Sequence, residues 1–210
     1  MGMVKMHTHF NYVHIPAPDQ PNGRTLLLLH GTGGNEKDML PLGRQLDPNA
    51  ALLSPRGTVL EDGMARFFRR LSEGVFDEED IRFRAFEMVE FVESAIKTYS
   101  LDAENIAAVG YSNGANIAVA TMLLHPKVLS AAVLFRPTVP LVPEPLPDLS
   151  GIPIFVAAGS SDQLVSADET NRLIDMLSSS GADVSVNWNP GTHALSKEDV
   201  VAAKDWLDQH

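Results

Sequence analysis

The string Gly110-Tyr111-Ser112-Asn113-Gly114 puts a serine between two glycines, with the apolar run Ala107-Ala108-Val109 before it and Ala115 after it. A serine so placed is a candidate nucleophile. Its hydroxyl stands clear of the backbone only on a strained turn between a strand and a helix. Such a turn packs backbone on backbone, so its flanks must be small, and Gly110, Gly114 and Ala115 meet that need. The plainer reading is a glycine-flanked loop serine; an apolar strand before and an alanine-rich helix after argue against it. A serine hydroxyl also needs a base, and the base needs an acid to orient it.

Both are found downstream. The run Ile152 to Ala158 ends in Gly159-Ser160-Ser161-Asp162, and Val184 to Trp188 is followed by Asn189-Pro190-Gly191-Thr192-His193. Each polar residue therefore follows the C-terminal end of a strand, where ligands and chemistry collect in open sheets flanked by helices. Asp162 is the expected acid and His193 the expected base. The competitors are placed less well. His30 lies in a glycine loop ahead of the serine, His125 at a helix end before Pro126, and His210 at the terminus. Asp168 reads as a residue opening the next helix, and Asp148 precedes its strand, at the wrong end of the sheet.

Stabilisation of an oxyanion is expected from the front of the chain. Thr25 to Leu29 is a buried strand, and His30-Gly31-Thr32-Gly33-Gly34 is the turn after it. The backbone N–H groups of Thr32 and of Asn113, directly after the nucleophile, are the expected donors. A phosphate-binding loop is excluded: Glu36 stands where a third glycine is required, and no Gly-Lys-Ser/Thr follows.

The elements that must position these residues alternate. Strands are expected at His9 to Ile15 (an edge), Thr25 to Leu29, Ala50 to Ser54, Asn105 to Val109, Ser130 to Phe135, Gly151 to Ala157 and Val184 to Trp188. Helices are expected at Glu36 to Leu46, Asp80 to Tyr99, Asn113 to Leu124, Ser166 to Ser179 and Lys197 to Leu207. Strands this apolar are buried on both faces, so the central sheet is expected to be mostly parallel, with helices on both sides, in one domain spanning residues 1–210.

With its Ser, Asp, His order, the chain resembles the α/β-hydrolases, and within them the phospholipase/carboxylesterase branch. The resemblance rests on His30-Gly31-Thr32-Gly33-Gly34-Asn35-Glu36, Leu53-Ser54-Pro55-Arg56-Gly57 and Gly110 to Ala115. The run Arg66-Phe67-Phe68-Arg69-Arg70, then Phe76-Asp77-Glu78-Glu79-Asp80, is similar to the small bacterial carboxylesterases. The resemblance implies an α/β-hydrolase fold and a serine esterase acting on carboxylic esters. Acyl-protein thioesterases of the same branch commonly carry glutamine after the serine; Asn113 here favours the carboxylesterase side. Thioesterase, lactonase or perhydrolase activity would use the same three residues. A ligand-binding protein with little turnover is the non-enzymatic alternative.

Composition narrows the class. There is no cysteine among 210 residues, which excludes disulfides and a cysteine nucleophile. A net charge of −11 argues against nucleic acid and anionic membrane surfaces. No apolar leader or spanning run is visible, so a cytoplasmic protein is expected, monomeric or homodimeric, with a small-molecule ester as its partner. No cofactor or metal is expected, because His7, His9 and His14 alternate as on an edge strand.

Two segments are expected to wall the pocket. One is a flap from Phe67 to Phe76, with Phe67, Phe68 and Phe76 as its candidates. The other is the loop from Arg136 to Pro140, with Arg136 and Val139. The flap's arginines either select an acidic substituent on the ester or pair with Glu73 or the Asp77 to Asp80 run.

Overall fold

The computed structural model describes residues 8–18, 23–72 and 74–210. In chain order the elements are β1 (Tyr12–Ile15), β2 (Thr25–Leu29), α1 (Leu40–Leu46), β3 (Ala51–Pro55), β4 (Val59–Glu61), β5 (Met64–Arg66), β6 (Arg70–Ser72) and β7 (Val75–Phe76). Then follow α2 (Glu78–Tyr99), β8 (Ile106–Tyr111), α3 (Asn113–Leu124), β9 (Ala131–Phe135), β10 (Pro153–Gly159), α4 (Ala167–Ser179), β11 (Asp183–Asn189) and α5 (Lys197–Leu207).

Seven strands form one sheet in the order β1-β3-β2-β8-β9-β10-β11. Only β1 runs antiparallel, against β3; every other pairing in this sheet is parallel. The central strand β2 is buried at all five positions. Its residues alternate between two cores: Leu27 and Leu29 join one cluster, Leu26 and Leu28 the other. The first cluster takes residues of α2, α3 and α4, such as Phe91, Ile117 and Leu173. The second takes Leu46 of α1 and Trp206 of α5. Helices thus cover both faces, which is why the strands read as continuous apolar runs. Helix α3 is buried from Asn113 to Leu123, as a helix apolar on all sides must be.

Beyond shifts of one or two residues at other element ends, three features differ from the sequence expectation. The first helix opens at Leu40 rather than Glu36. The Asn35 side chain bonds to Asp38, and Asn35 also accepts from the Lys37 N–H, so residues 35–38 form turns instead. The edge strand starts at Tyr12 rather than His9. Two small hairpins outside the expected elements lie between β3 and α2: β4–β5 precedes the expected Phe67 to Phe76 flap, and β6–β7 lies within it.

Candidate active site

Strand β8 delivers Ser112 to the carboxyl edge of the sheet at φ 52° and ψ −115°. The space around this turn admits no side chain at its glycines. A Cβ on Gly110 would come within 2.6 Å of Ala115, and one on Gly114 within 2.0 Å of the Leu29 carbonyl oxygen. The Ser112 N–H donates to the Phe135 carbonyl at 2.9 Å, tying the turn to β9.

The loop after β11 brings His193 Nε2 to 3.0 Å from Ser112 Oγ. His193 Nδ1 lies 2.8 Å from Asp162 Oδ2, in the loop after β10. The Asp162 carboxylate is 1% exposed, and its other oxygen accepts from the N–H groups of Leu164 (2.8 Å) and Val165 (3.0 Å). The structure thus brings all three residues into one chain of hydrogen bonds. With Nδ1–H given to the carboxylate, Nε2 is left to accept the serine proton, the geometry of a base poised on a nucleophile. Asp168 lies in the first turn of α4, and Asp148 lies before β10; neither joins the chain.

Two backbone N–H groups beside the serine are left without an acceptor among the described residues. In the loop after β2, the Gly33 N–H donates to Ala65 and the Gly34 N–H to Gly31. Thr32 N–H has no acceptor among the described residues, and neither has the N–H of Asn113, in the open first turn of α3. Buried His30 fixes this loop: Nδ1 bonds to the Gly31 carbonyl, and Nε2 accepts from the Gly57 N–H at 3.0 Å. Burial pulls its pKa below the ordinary histidine value, which holds it in the neutral form that this pattern needs.

A cleft of about 440 Å³ opens over Ser112 and His193. Thr32, Arg66, Arg70, Phe76, Asn116, Thr138 and Val165 are among the residues that line it. Of the expected flap aromatics, only Phe76 reaches it. Phe67 and Phe68 are corrected to core residues: both are buried in the cluster that holds α2 and α3, and Phe68 carries Phe76 edge-on at 5.1 Å. Val139 is likewise buried in that cluster, and Thr138 takes its expected place at the cleft, held by Asn116 through two hydrogen bonds.

Arg136 borders the cleft, but its guanidinium is not available to a ligand. The residue is 1% exposed and all five of its N–H donors are engaged. Nε donates to the Thr192 carbonyl, Nη1 to the Ala157 carbonyl and Asp199 Oδ1, and Nη2 to the Ala194 carbonyl and Asp199 Oδ2. Its carbonyl partners at 192 and 194 bracket His193. Asp199 in turn accepts from Ser196 and Asn189, at either end of the same loop. Sequence reasoning misses this clamp, because nothing links Arg136 to Asp199 along the chain.

The arginines of the Arg66 to Arg70 run divide. Arg69 pairs with Asp77 and Asp80 at the start of α2, while Arg66 and Arg70 both turn to Glu61. Glu73 lies outside the described residues, as does His7. His9 pairs with Glu87, and His14 stacks on Tyr99 at 3.8 Å. No group of three metal-ligating side chains occurs among the described residues. Among them, too, no helix is long and apolar enough to cross a membrane.

A serine on a strand-to-helix turn, bonded to a histidine and a carboxylate at the carboxyl edge of such a sheet, defines an α/β-hydrolase-fold serine hydrolase. The chain belongs to the phospholipase/carboxylesterase family, which matches residues 10–210. It is 49% identical to the Bacillus subtilis (strain 168) protein MhqD, named as a hydrolase, over 88% of this chain and 92% of that one. The solved Bacillus cereus carboxylesterase superposes with a TM-score of 0.93 at 45% identity, covering 96% of this chain and 94% of its own. Acyl-protein thioesterase 1 of Cryptococcus neoformans is 25% identical over 82% of this chain and 79% of that protein.

Proposed function

We propose that the protein is a carboxylesterase that hydrolyses small carboxylic esters through a covalent acyl-serine. The observation that carries this reading is the unbroken hydrogen-bond chain Ser112–His193–Asp162 beneath an open cleft. His193 Nε2 accepts the Ser112 proton as Oγ attacks the ester carbonyl carbon. The carbonyl oxygen becomes an oxyanion between the N–H groups of Thr32 and Asn113. The tetrahedral intermediate collapses, the C–O bond to the alcohol breaks, and His193 returns the proton to the departing alkoxide. Water, deprotonated by His193, then attacks the acyl-serine. The second collapse releases the carboxylic acid and restores the serine hydroxyl. Asp162 holds the ring in the required tautomer and stabilises the imidazolium formed in each half. None of these steps draws on a metal or a cofactor.

The test is a panel of p-nitrophenyl esters of graded acyl length, run beside a thioester of matched acyl group and after labelling with a fluorophosphonate. Ester turnover that disappears on stoichiometric labelling at Ser112 is the expected result. Labelling elsewhere, or ester turnover in a fully labelled protein, refutes the assignment. A thioester preferred over its matched ester would move the substrate class to thioesters.

The cleft wall makes a second expectation concrete. An apolar wall that holds ground state and transition state alike changes KM more than kcat. Phe76→Ala should therefore raise KM for longer or aromatic esters by about 4-fold, the worth of one buried methylene at ~0.8 kcal/mol, with little effect on acetate esters. Phe68→Ala should instead act on stability, at a cost of about 3–5 kcal/mol, because it empties a core site. Thermal melts beside the kinetics separate the two. Equal KM effects from both variants would contradict this division of the flap.

A further inference from the structure

Two guanidinium groups on the cleft wall share one carboxylate. Arg66 Nε lies 3.4 Å from Glu61 Oε2, and Arg70 Nε bonds to Glu61 Oε1. Glu61 and Arg66 sit on opposite strands of the β4–β5 hairpin, and Arg70 opens the β6–β7 hairpin beside them. Arg66 also donates to the Phe68 carbonyl and, through Nη1 at 2.7 Å, to Thr32 Oγ1. Its side chain is 5% exposed. Burial pulls its pKa below the ordinary arginine value, Glu61 opposes that fall, and the charge of Arg70 adds to it. The local balance is two cations to one anion in a partly desolvated wall.

The donor count points the same way. Arg136 uses all five of its N–H groups on protein acceptors. Arg70, which lines the cleft, uses only Nε, and its four terminal N–H donors have no acceptor among the described residues. Arg66 uses Nε and one Nη1 proton, so three of its donors have no acceptor among the described residues. A planar fork of this kind matches a carboxylate. The protein carries a net charge of −11, so this excess of cation is not a general property of its surface.

We infer that the esters hydrolysed at this site bear a second, anionic group, a carboxylate held by Arg70 and supported by Arg66. The inference rests on the esterase reading above and deepens it. Such a substrate would neutralise the wall, and its charge would set its position relative to Ser112.

The experiment compares charged and neutral partners of equal length. The p-nitrophenyl hemiesters of succinic and glutaric acid carry the carboxylate on the acyl side, and 4-acetoxybenzoate carries it on the alcohol side. p-Nitrophenyl butyrate and valerate, and phenyl acetate, are the neutral controls. In the wild type, the kcat/KM ratio of charged to neutral ester should exceed ten for one arm, and which arm reports where the anion sits. Arg70→Gln should lower that ratio at least 10-fold, mainly through KM. Arg69→Gln, whose side chain faces Asp77 and Asp80, should leave it unchanged. A ratio below one in both arms, or the same loss from Arg69→Gln, overturns the inference.

Calorimetric titration with glutarate reads the subsite without turnover. Binding to the wild type that Arg70→Gln weakens at least 10-fold supports the subsite, and absence of binding counts against it. Neutral-ester turnover with no charge preference would defeat this inference alone. Glutarate binding without turnover of any ester would defeat the esterase reading alone.

Discussion

Ser112→Ala and His193→Ala should each lower kcat by roughly 10³-fold or more, and the double variant should be little worse than either one. The reason is the geometry of the pair. With Nε2 3.0 Å from Oγ, each side chain is useful only through the other. Asp162→Asn should also be severe. The amide cannot both accept from His193 Nδ1–H and keep its carbonyl oxygen for the N–H groups of Leu164 and Val165, so the ring loses the tautomer that leaves Nε2 free. Steady-state kinetics on p-nitrophenyl acetate give the measurement. Turnover near that of the wild type in Ser112→Ala would remove the proposed nucleophile. Losses that add across the double variant would mean that the two residues do not act as one unit.

The second large effect is expected at Arg136. Arg136→Met leaves Asp199 at 0% exposure without its cation. Removing one partner of a buried pair costs about 3–5 kcal/mol, a fall in melting temperature on the order of 10 °C for a chain of this size. The variant also frees the carbonyls at 192 and 194, which bracket His193. A displacement of the base by about 1 Å is worth on the order of 10²-fold in rate. The double substitution Arg136→Met with Asp199→Leu separates the two roles. Replacing both charges with apolar groups should restore much of the stability, since the orphaned carboxylate is gone. It should not restore kcat, because the loop is still unanchored. If kcat recovers along with the melting temperature, Arg136 acts on the fold alone and not on the position of His193.

The parts of the site that are legible in the sequence are those with a local signature. Ser112 sits in a string whose glycines have a steric reason that follows from the residue types alone. Asp162 and His193 each follow an apolar run and a small-residue turn. Helices α3 and α5 have the bounds expected from their sequence: α3 opens directly after the elbow serine and closes ahead of Pro126, and α5 opens on the Ser196 capping box. The flap is a harder case. Phe67, Phe68 and Phe76 are equally apolar and lie in or between short irregular strands, so no period separates the two that enter the core from the one that faces the cleft. The β4–β5 hairpin does carry a local signal: Asp62-Gly63, both at positive φ, is a strong two-residue hairpin turn. That turn pairs Glu61 with Met64 and sets Arg66 two residues further along the same hairpin. The Arg136–Asp199 clamp has no such marker. Its two charges lie 63 residues apart, and only the closing of α5 over the sheet brings them together.

The backbone at Ser112 also bears on how stable the protein can become. A non-glycine residue at φ 52° and ψ −115° occupies a sparsely populated region, at a cost of about 1–3 kcal/mol. Glycine would relieve that cost and give back only about 0.4–1 kcal/mol through the greater freedom of the unfolded chain. Ser112→Gly should therefore melt a few degrees above Ser112→Ala, and a differential scan in which the alanine variant melts higher would refute this. The nucleophile is then a position where selection for thermal endurance and selection for turnover pull in opposite directions. A screen that rewarded heat resistance alone would tend to erase it, so any programme to harden this enzyme has to score activity in the same round.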